Sequence, residues 1–323
     1  MSSSSWFGPQ QKNLFVRSRT HFIYALLALG VLIYVINSQR LAERLYFNWL
    51  HWVQFDELHD NAVWLPDYRA VIEAKPIAQI ASDLSGITYD FDNDQLLAIN
   101  NAGQMRIVAM SKQGDVSAIY PLIGFKDTED ISYMGDGLVA VVEERSHSVC
   151  FIQLPATPGP INRAHVRSVT IGVTKSGKNK GFEGVDYDAQ LDRLYIVKER
   201  DPRQLYVVSG VRESLKGNLQ LDIQDLTEWV NRSVFSTDLS AVHHDARTGH
   251  LLVLSDESNA LYELNGDGDL VSSRTFIRGL SEVKQSVAQA EGVTMDAQGN
   301  LYLISEPNLF YTFEKSQAKL AKR

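Results

Sequence analysis

From about residue 68 onward, short apolar runs alternate with polar turns, a pattern that predicts β-strands rather than helices. One segment recurs within this pattern, as GFEGVDYD from Gly181 and again as AEGVTMD from Ala290. Two further copies carry Ser in place of Glu, DLSGITYD from Asp83 and DLSAVHHD from Asp238, and a more degenerate copy reads DTEDISYM from Asp127. The sequence therefore contains five copies of one structural unit.

Each copy is followed by a turn and two more apolar segments. The second segment ends in a polar or acidic residue in every copy, reading LLAINN, LVAVVEE, LYIVKE, LLVLSDE and LYLISE. The residues at the glycine position of the motif are 44, 54, 57 and 51 positions apart, namely Gly86, Asp130, Gly184, Ala241 and Gly292. A small sheet repeated at this spacing with no helical crossover is typical of a β-propeller, because neighbouring sheets bury each other's faces.

We predict an all-β fold, a five-bladed β-propeller over residues 67–314, preceded by a single N-terminal transmembrane helix. The fifth copy stops after its third strand, so the segment YRAVIEA (68–74) is expected to supply the missing outer strand and close the ring. A six-bladed propeller is the alternative, with the extra blade hidden around 155–180 or 211–236. In the second of these intervals, DLTEWVNRSV from Asp225 predicts a short helical insertion instead.

The first 38 residues have the layout of a membrane-targeting segment. Residues 1–20 carry three basic residues and no acid, and an apolar run from Phe22 to Ile36 follows them. This predicts a cytoplasmic N-terminus (1–20), a transmembrane signal anchor (21–38) that is the contact with the membrane, and a propeller on the periplasmic side of a bacterial inner membrane. A cleaved signal peptide is the competing interpretation, although NSQRLAERL follows the apolar run where a small-residue cleavage site would be expected.

Residues 39–66 are predicted to form an aromatic, amphipathic juxtamembrane segment. Apolar side chains fall at helical spacing here, and six aromatic residues lie between positions 41 and 64. Such a helix suits the outer membrane interface, and a linker helix packed on the propeller is an equal alternative. Residues 315–323 are expected to be a C-terminal tail.

Composition excludes several classes of function. The formal net charge of −8, with no basic cluster after the N-terminal segment, argues against a nucleic acid as partner. The single cysteine, Cys150, excludes an internal disulfide framework and a multi-cysteine metal site, and its strand-like surroundings predict a buried structural thiol. The sequence also contains neither a G-x-S-x-G nucleophile motif nor a phosphate-binding glycine loop.

If the repeated motif is the innermost strand of each blade, its Glu or Ser side chains meet at one mouth of the central channel. These residues are Ser85, Glu129, Glu183, Ser240 and Glu291. The next strand runs antiparallel, so its end returns to the same face and brings further polar residues, namely Asn100, Glu143, Glu144, Glu199, Asp256 and Glu306. Acids this close repel one another, and a divalent cation removes the repulsion. Calcium is the predicted cofactor, because it accepts six to eight oxygen ligands with loose geometry.

Other interpretations of the acids remain open. Without a metal, they would form salt bridges with Lys198, Arg200 or Arg145 across the channel. Two acid-rich strings, DFDND from Asp90 and NGDGD from Asn265, resemble the start of an EF-hand loop but lack its glutamate at position twelve. Both strings are therefore predicted to be hairpin turns.

The E-G-V-x-x-D segments at Glu183 and Glu291, the opening DLSGITYD and the closing LYLISEPNLFYTF follow an order and spacing that resemble the SdiA-regulated family of bacterial proteins. The resemblance covers residues 15–314. It implies a short cytoplasmic N-terminus, one membrane helix and a five-bladed propeller with calcium, whose ligands we assign to Glu129, Glu183 and Glu291. Further candidates at the same mouth are Asp130, Glu199, Asp256 and Glu306. In the second copy Asp130 replaces the glycine, where it either joins the metal or displaces it.

Two functions compete. The first is a membrane-tethered module that presents its calcium site to a periplasmic ligand or protein. The second is a calcium-dependent hydrolase of the lactonase, esterase or phosphoesterase type, which needs a base beside the metal. The adjacent pair His243 and His244 lies too far along the inner strand to act as that base, so binding is the favoured function. A scaffold in which calcium only stabilises the fold is a third possibility.

Overall fold

The computed structural model describes residues 21–34, 59, 61–172 and 181–316. The chain divides into two compact units, Met1–Val53 and Gln54–Arg323. In the first unit, residues 21–34 are helical (α1). Among the described residues, no helix is both long and apolar enough to cross a membrane. The predicted N-terminus (1–20), most of the juxtamembrane segment (39–58) and the tail beyond residue 316 lie outside the described residues.

In the second unit, a 3-10 turn at Leu65–Asp67 precedes a series of elements that are mainly β-strands. Strand β1 (Tyr68–Pro76) comes first, and the four strands of blade 1 follow as β2 (Leu84–Asp90), β3 (Gln95–Asn100), β4 (Arg106–Met110) and β5 (Val116–Ile123). Blade 2 comprises β6 (Thr128–Gly135), β7 (Leu138–Glu143), β8 (Ser148–Gln153) and β10 (Arg167–Thr170). Before β10 come the short strand β9 (Ile161–Asn162), which pairs with β5, and a 3-10 turn at Arg163–His165.

Blades 3, 4 and 5 repeat the same order from the axis outward. Blade 3 comprises β11 (Phe182–Asp188), β12 (Arg193–Lys198), β13 (Gln204–Ser209) and β14 (Asp222–Asp225), with helix α2 (Val211–Lys216) before β14 and α3 (Thr227–Ser233) after it. Blade 4 comprises β15 (Ala241–Asp245), β16 (His250–Ser255), β17 (Ala260–Leu264) and β18 (Leu270–Thr275). Blade 5 comprises β19 (Ala290–Met295), β20 (Leu301–Ser305), β21 (Leu309–Lys315) and, outermost, β1.

The ring is closed by the first and last strands of the propeller. Strand β1 pairs antiparallel with β21, from Tyr68 opposite Lys315 to Pro76 opposite Leu309. The prediction that YRAVIEA supplies the outer strand of the last blade is therefore confirmed. The described residues form five blades, and the alternative of a sixth blade is wrong. The described parts of the two long intervals hold β9 and β10 in one case and α2, β14 and α3 in the other, so the predicted helical insertion is also confirmed.

Apolar clusters lie between neighbouring blades, because the strands bury side chains on both faces. Between blades 1 and 2, Leu97 and Ile107 pack in one cluster with Ile131 and Val141. The thiol of Cys150 is buried in this cluster, as its surroundings predicted. Packing of this kind ties each sheet to the next, so the blades form one continuous ring.

A buried carboxylate holds the chain just before β1. Glu263 in β17 is fully buried and accepts hydrogen bonds from the backbone N–H of Val63 (2.7 Å) and Trp64 (2.9 Å). The hydroxyl of Ser272 donates to it at 2.6 Å, and Nδ1 of His250 lies 2.7 Å away. The segment before β1 is thereby fixed to blade 4, whereas β1 itself belongs to blade 5.

We expect Glu263→Gln to lower the free energy of unfolding by about 2–4 kcal/mol. The reason is that the NH₂ group of the glutamine would face a backbone N–H group whose hydrogen bond the carboxylate of Glu263 now accepts. Urea unfolding of the purified protein measures this change. The matched control is Glu213→Gln, since Glu213 forms only an exposed ion pair with Lys216 and its loss should change stability by less than about 0.5 kcal/mol. Equal small effects in both variants would show that Glu263 does not fix this segment.

Candidate functional site

The Glu or Ser of the repeated motif sits in a β-bulge in four of the five inner strands. The pairing register shifts there in β2, β6, β11 and β19, which leaves one residue of each strand unpaired. These residues are Ser85, Glu129, Glu183 and Glu291. In blade 4 the equivalent Ser240 lies just before β15. A bulge breaks the alternation of side chains along a strand, so it can turn these side chains toward the end of the channel.

One cavity of about 380 Å³ lies at this end of the channel, and we call it the acidic cavity. Its lining includes nine acids, namely Glu129, Glu144, Glu183, Glu199, Asp238, Asp256, Glu257, Glu291 and Glu306, together with Ser85, Asn101, Ser240 and Arg200. The structure thus brings together six of the seven candidate residues for calcium. The seventh, Asp130, is not among them.

The tightest group of acids comes from blade 2. Asp127, Glu129 and Glu144 each offer a carboxylate oxygen, and these oxygens lie within 4.8 Å of one another. The amide of Asn101 donates to Glu129 at 2.6 Å, and the backbone N–H of Gly181 donates to Glu144 at 3.0 Å. Asp127 was missed as a candidate, and Glu144 was predicted at this mouth but not as a ligand. In the sequence, Asp127 is the first acid of the motif DTEDISYM and Glu144 is the second acid of LVAVVEE. These two acids were the signals from which both residues could have been named as ligands.

Asp127 reaches this group through its backbone conformation. It lies at the first position of the motif and has a left-handed φ of 52°, like Asp83 in blade 1 (52°) and Gln289 in blade 5 (46°). Its carbonyl oxygen accepts a hydrogen bond from the backbone N–H of Glu144 at 2.9 Å. This contact joins the start of β6 to the chain just after β7, so both acids lie beside Glu129.

Burial and mutual repulsion raise the pKa values of three acids in the cavity. Burial, followed by the charges of Glu144 and Asp127, raises the pKa of Glu129 to about 8. Burial and the nearby Asp256 raise the pKa of Glu291 to about 8 as well. The pKa of Glu183 is raised well above its usual value by burial and by the charges around it. The cavity therefore holds protons at neutral pH unless a cation replaces them.

Salt bridges neutralise part of the acidic cluster. Arg145 pairs with Asp127, and Arg200 pairs with Glu199 at 2.7 Å and also with Glu257. The ammonium of Lys198 instead donates to the backbone carbonyls of Arg200 and Pro202. In the part of the chain that the structure describes, no basic side chain lies within 4.0 Å of Glu183 or Glu291. Within the described part of the chain, the interpretation without a metal thus accounts for some of the acids but gives Glu183 and Glu291 no cationic partner.

Asp130 lies deeper along the axis. It is almost fully buried, its Oδ1 accepts from its neighbour Ile131 at 2.8 Å, and its Oδ2 accepts from the backbone N–H of Val185 in blade 3 at 2.8 Å. It also occupies the glycine position, where inner strands touch, since a Cβ added to Gly86 would lie 2.3 Å from Oδ1 of Asp130. Its carboxylate joins neighbouring strands rather than reaching the acidic cavity.

The two EF-hand-like strings are hairpin turns, as predicted. Oδ1 of Asp90 accepts from the backbone N–H groups of Asp92 (3.1 Å) and Asn93 (3.2 Å). Oδ1 of Asn265 accepts in the same way from Asp267 (3.0 Å) and Asp269 (2.9 Å). These side chains are occupied in stabilising the turns between strands.

Comparison with known proteins gives one family and several distant structures. A family model described as SdiA-regulated matches residues 60–314. Similar solved structures include a catalytically inactive virginiamycin B lyase from Staphylococcus aureus with quinupristin, at 13% identity and a TM-score of 0.41, covering 71% of this chain and 65% of that one. A nidogen/laminin complex matches at 13% identity and a TM-score of 0.44, covering 70% and 73%. A protein of unknown function from Bacteroides thetaiotaomicron matches at 14% and 0.45, covering 74% and 59%.

In the absence of metal ions, we expect Glu291→Gln to stabilise the protein increasingly as pH rises from about 4.5 to about 8. The pKa of Glu291 is raised on folding, so over this window the unfolded chain has released a proton that the folded chain still binds, and stability falls. The amide does not ionise and escapes this loss. Thermal unfolding in EDTA across the pH range measures the difference in Tm between variant and wild type.

The control for this experiment is Glu228→Gln, which removes an exposed acid on α3. Its Tm should follow that of the wild type at every pH. A constant difference in Tm between Glu291→Gln and wild type would mean that Glu291 titrates normally in the folded protein.

Proposed function

Because the chain belongs to the SdiA-regulated family, we propose that its propeller is a calcium-binding module, anchored in the bacterial inner membrane by residues 21–38, which binds a ligand or partner protein on the periplasmic side. The observation that carries the calcium proposal is the group Asp127, Glu129 and Glu144, whose oxygens lie within 4.8 Å of one another. Carboxylate oxygens are the ligands that calcium prefers.

The donor set fits a hard divalent cation. Oδ2 of Asp127 is buried and accepts no well-aligned hydrogen bond, its close contact with Arg145 being an ion pair only. Glu129 and Glu144 line the acidic cavity, where Glu183 and Glu291 add negative charge without a basic partner among the described residues. A bound calcium ion would neutralise these acids and leave coordination positions for an oxygen atom of a ligand. Arg145, released from Asp127, would then be available to the same ligand.

Binding is better supported than hydrolysis. A metal-dependent hydrolase needs a general base within hydrogen-bond reach of the attacking water. Among the described residues that line the acidic cavity there is no histidine, so a base for hydrolysis would have to be one of the carboxylates, and these are the groups that the calcium proposal uses to hold the metal and its charge. His243 and His244 line a different cavity, at the opposite end of the inner strands. A calcium-dependent hydrolase therefore remains the alternative outcome of the experiment below.

We expect the protein to bind calcium with a dissociation constant of about 0.1–1 mM, the range of extracellular calcium modules. Glu129→Gln and Asp127→Asn should each weaken binding at least about tenfold, since each removes a charged ligand. Isothermal titration calorimetry measures both constants, and the exposed Glu228→Gln variant, which should bind like the wild type, is the control. Absence of calcium binding at several millimolar would refute the proposal.

The same variants separate binding from hydrolysis. Calcium-dependent turnover of a lactone, ester or phosphoester that disappears in Glu129→Gln would favour the hydrolase. If the wild type binds calcium but turns over none of these substrates, the binding module stands. Magnesium should not substitute for calcium, because it demands a tighter octahedral arrangement than acids spread over several blades offer.

We expect alkaline phosphatase fused after residue 323 to be active in bacterial cells, and green fluorescent protein fused there to stay dark. The reason is the positive charge of residues 1–20, which orients the apolar segment with the N-terminus in the cytoplasm. A matched pair of fusions lacking residues 1–38 should show the reverse. A fluorescent full-length fusion would place the propeller in the cytoplasm.

A further inference from the structure

A second cavity, of about 400 Å³, lies at the opposite end of the inner strands. All five blades contribute to it, and it shares no lining residue with the acidic cavity. Between the two ends the inner strands touch, since a Cβ added to Gly184 would lie 2.8 Å from Cα of Ala241 and one added to Gly292 would lie 3.0 Å from the backbone nitrogen of Ile87. The second cavity is therefore a separate compartment with the volume of a small-molecule site.

Aromatic side chains form much of its wall, and we call it the aromatic cavity. Tyr89, Tyr133 and Tyr187 occupy the same position of the motif in blades 1, 2 and 3. Their hydroxyl groups donate to acids in the hairpin turns, namely Asp94 (2.6 Å), Asp92 (2.6 Å) and Asp192 (2.9 Å). Phe91, which is 48% exposed, contacts the ring of Tyr133 edge-on at 5.0 Å. The rings are thus held in fixed orientations around the cavity.

A histidine–aspartate pair provides the polar part of the cavity. Nδ1 of His243 lies 2.8 Å from Oδ2 of Asp186, although its N–H direction is not well aimed at that oxygen, so the contact is electrostatic rather than a well-formed hydrogen bond. Asp186 is itself held by the hydroxyl of Ser132 at 2.7 Å and by the backbone N–H of His244 at 2.8 Å. With Nδ1 against Asp186, Nε2 is the ring nitrogen of His243 left to meet a ligand.

Asp186 keeps its negative charge despite its burial. Burial alone would raise its pKa, but the neighbouring His243 together with the hydrogen bonds from Ser132 and His244 holds the pKa below its ordinary value. The adjacent His244 has a different role, because it stacks on Tyr195 within blade 3 and burial lowers its pKa. Its Nε2 lies 4.0 Å from Oδ2 of the buried Asp188, whereas Nδ1 of His243 lies 2.8 Å from Asp186, so His243 makes the closer contact between a buried carboxylate and the cavity.

The three carboxylates that line the aromatic cavity differ in their partners. Asp245 lies 3.4 Å from Arg247, and Asp296 lies 3.2 Å from Lys112, so these two carboxylates have cationic partners. Asp186 has only an imidazole, which leaves an excess of negative charge beside the aromatic wall. Aromatic faces and a carboxylate both attract cations, and apolar ring surface attracts a planar body.

We propose that the aromatic cavity binds a small molecule with a planar apolar body and one amino group. The body packs against the tyrosine rings and Phe91. The amino group donates to Nε2 of His243, and Asp186 stabilises the positive charge through the imidazole. This site is independent of the calcium proposal, since it uses none of the same residues.

The test compares three probes with the same phenyl ring, namely 2-phenylethylamine, 2-phenylethanol and 3-phenylpropanoate, by ligand-observed NMR and calorimetry on the full-length protein. We expect the amine to bind at least about tenfold more tightly than the carboxylate, with the alcohol between them. His243→Gln should remove the preference for the amine, and Phe91→Ala, at an exposed position, should weaken all three probes by a similar factor. EDTA and the Glu291→Gln variant should change none of these affinities.

Equal affinity for the three probes, or no saturation by the amine at about 10 mM, would overturn the proposal. A second variant, Asp186→Asn, should weaken the amine more than the alcohol. If this variant does not fold, the preference of the wild type and the effects of His243→Gln and Phe91→Ala decide the question. Failure of calcium binding in the earlier experiment would leave this result unaffected, so the two proposals fail separately.

Discussion

The backbone N–H groups on the axial edge of the innermost strands have no neighbouring strand to bond to, because that edge faces the channel. In blades 2, 3 and 4, side chains of the preceding blade accept hydrogen bonds from several of them. The N–H of Tyr133 donates to Oγ1 of Thr88 at 2.9 Å, and that of Tyr187 donates to the hydroxyl of Ser132 at 2.9 Å. Val185 donates to Asp130 and His244 to Asp186 in the same way. Buried amides without partners are costly, so these contacts favour close approach of the inner strands of blades 1 to 4.

This close approach explains residues that serve no ligand. Gly86 and Gly184 have no space for a Cβ, because a side chain there would collide with the next inner strand. Asp130 stands at the same position in blade 2 and uses its carboxylate to bond the backbone of blade 3. Asp130, which resembles a metal ligand in the sequence, therefore connects the inner strands of two neighbouring blades. Its role depends on a strand 55 residues further along the chain, which the local sequence does not reveal.

The sequence is sufficient to predict most of the fold. Strand periodicity and the five motif copies predict the blades, and the incomplete fifth copy predicts closure by residues 68–74. The sequence also predicts that most of these acids converge, because antiparallel neighbours return to the same face. Two predicted acids do not line the acidic cavity, since Asp130 bonds the backbone of blade 3 and Glu143 pairs with Arg163. It does not predict that Asp127 joins Glu129 and Glu144, since that depends on the left-handed backbone of Asp127 and its bond to Glu144. Nor does it predict the aromatic cavity, whose walls come from all five blades.

The joined inner strands also separate the chemistry of the two ends. At one end, β-bulges place the carboxylates of Glu129, Glu183 and Glu291 in the acidic cavity, and carboxylates are suitable ligands for a hard cation. At the other, the regular strand pattern continues and presents tyrosine rings beside Asp186 and His243. Movement of an inner strand along the axis would break the bonds from Val185 to Asp130 and from His244 to Asp186 together. Since those bonds satisfy buried amides, binding at one end cannot displace the strands without loss of stability. The same inner-strand contacts therefore separate the two cavities and join the blades that line them.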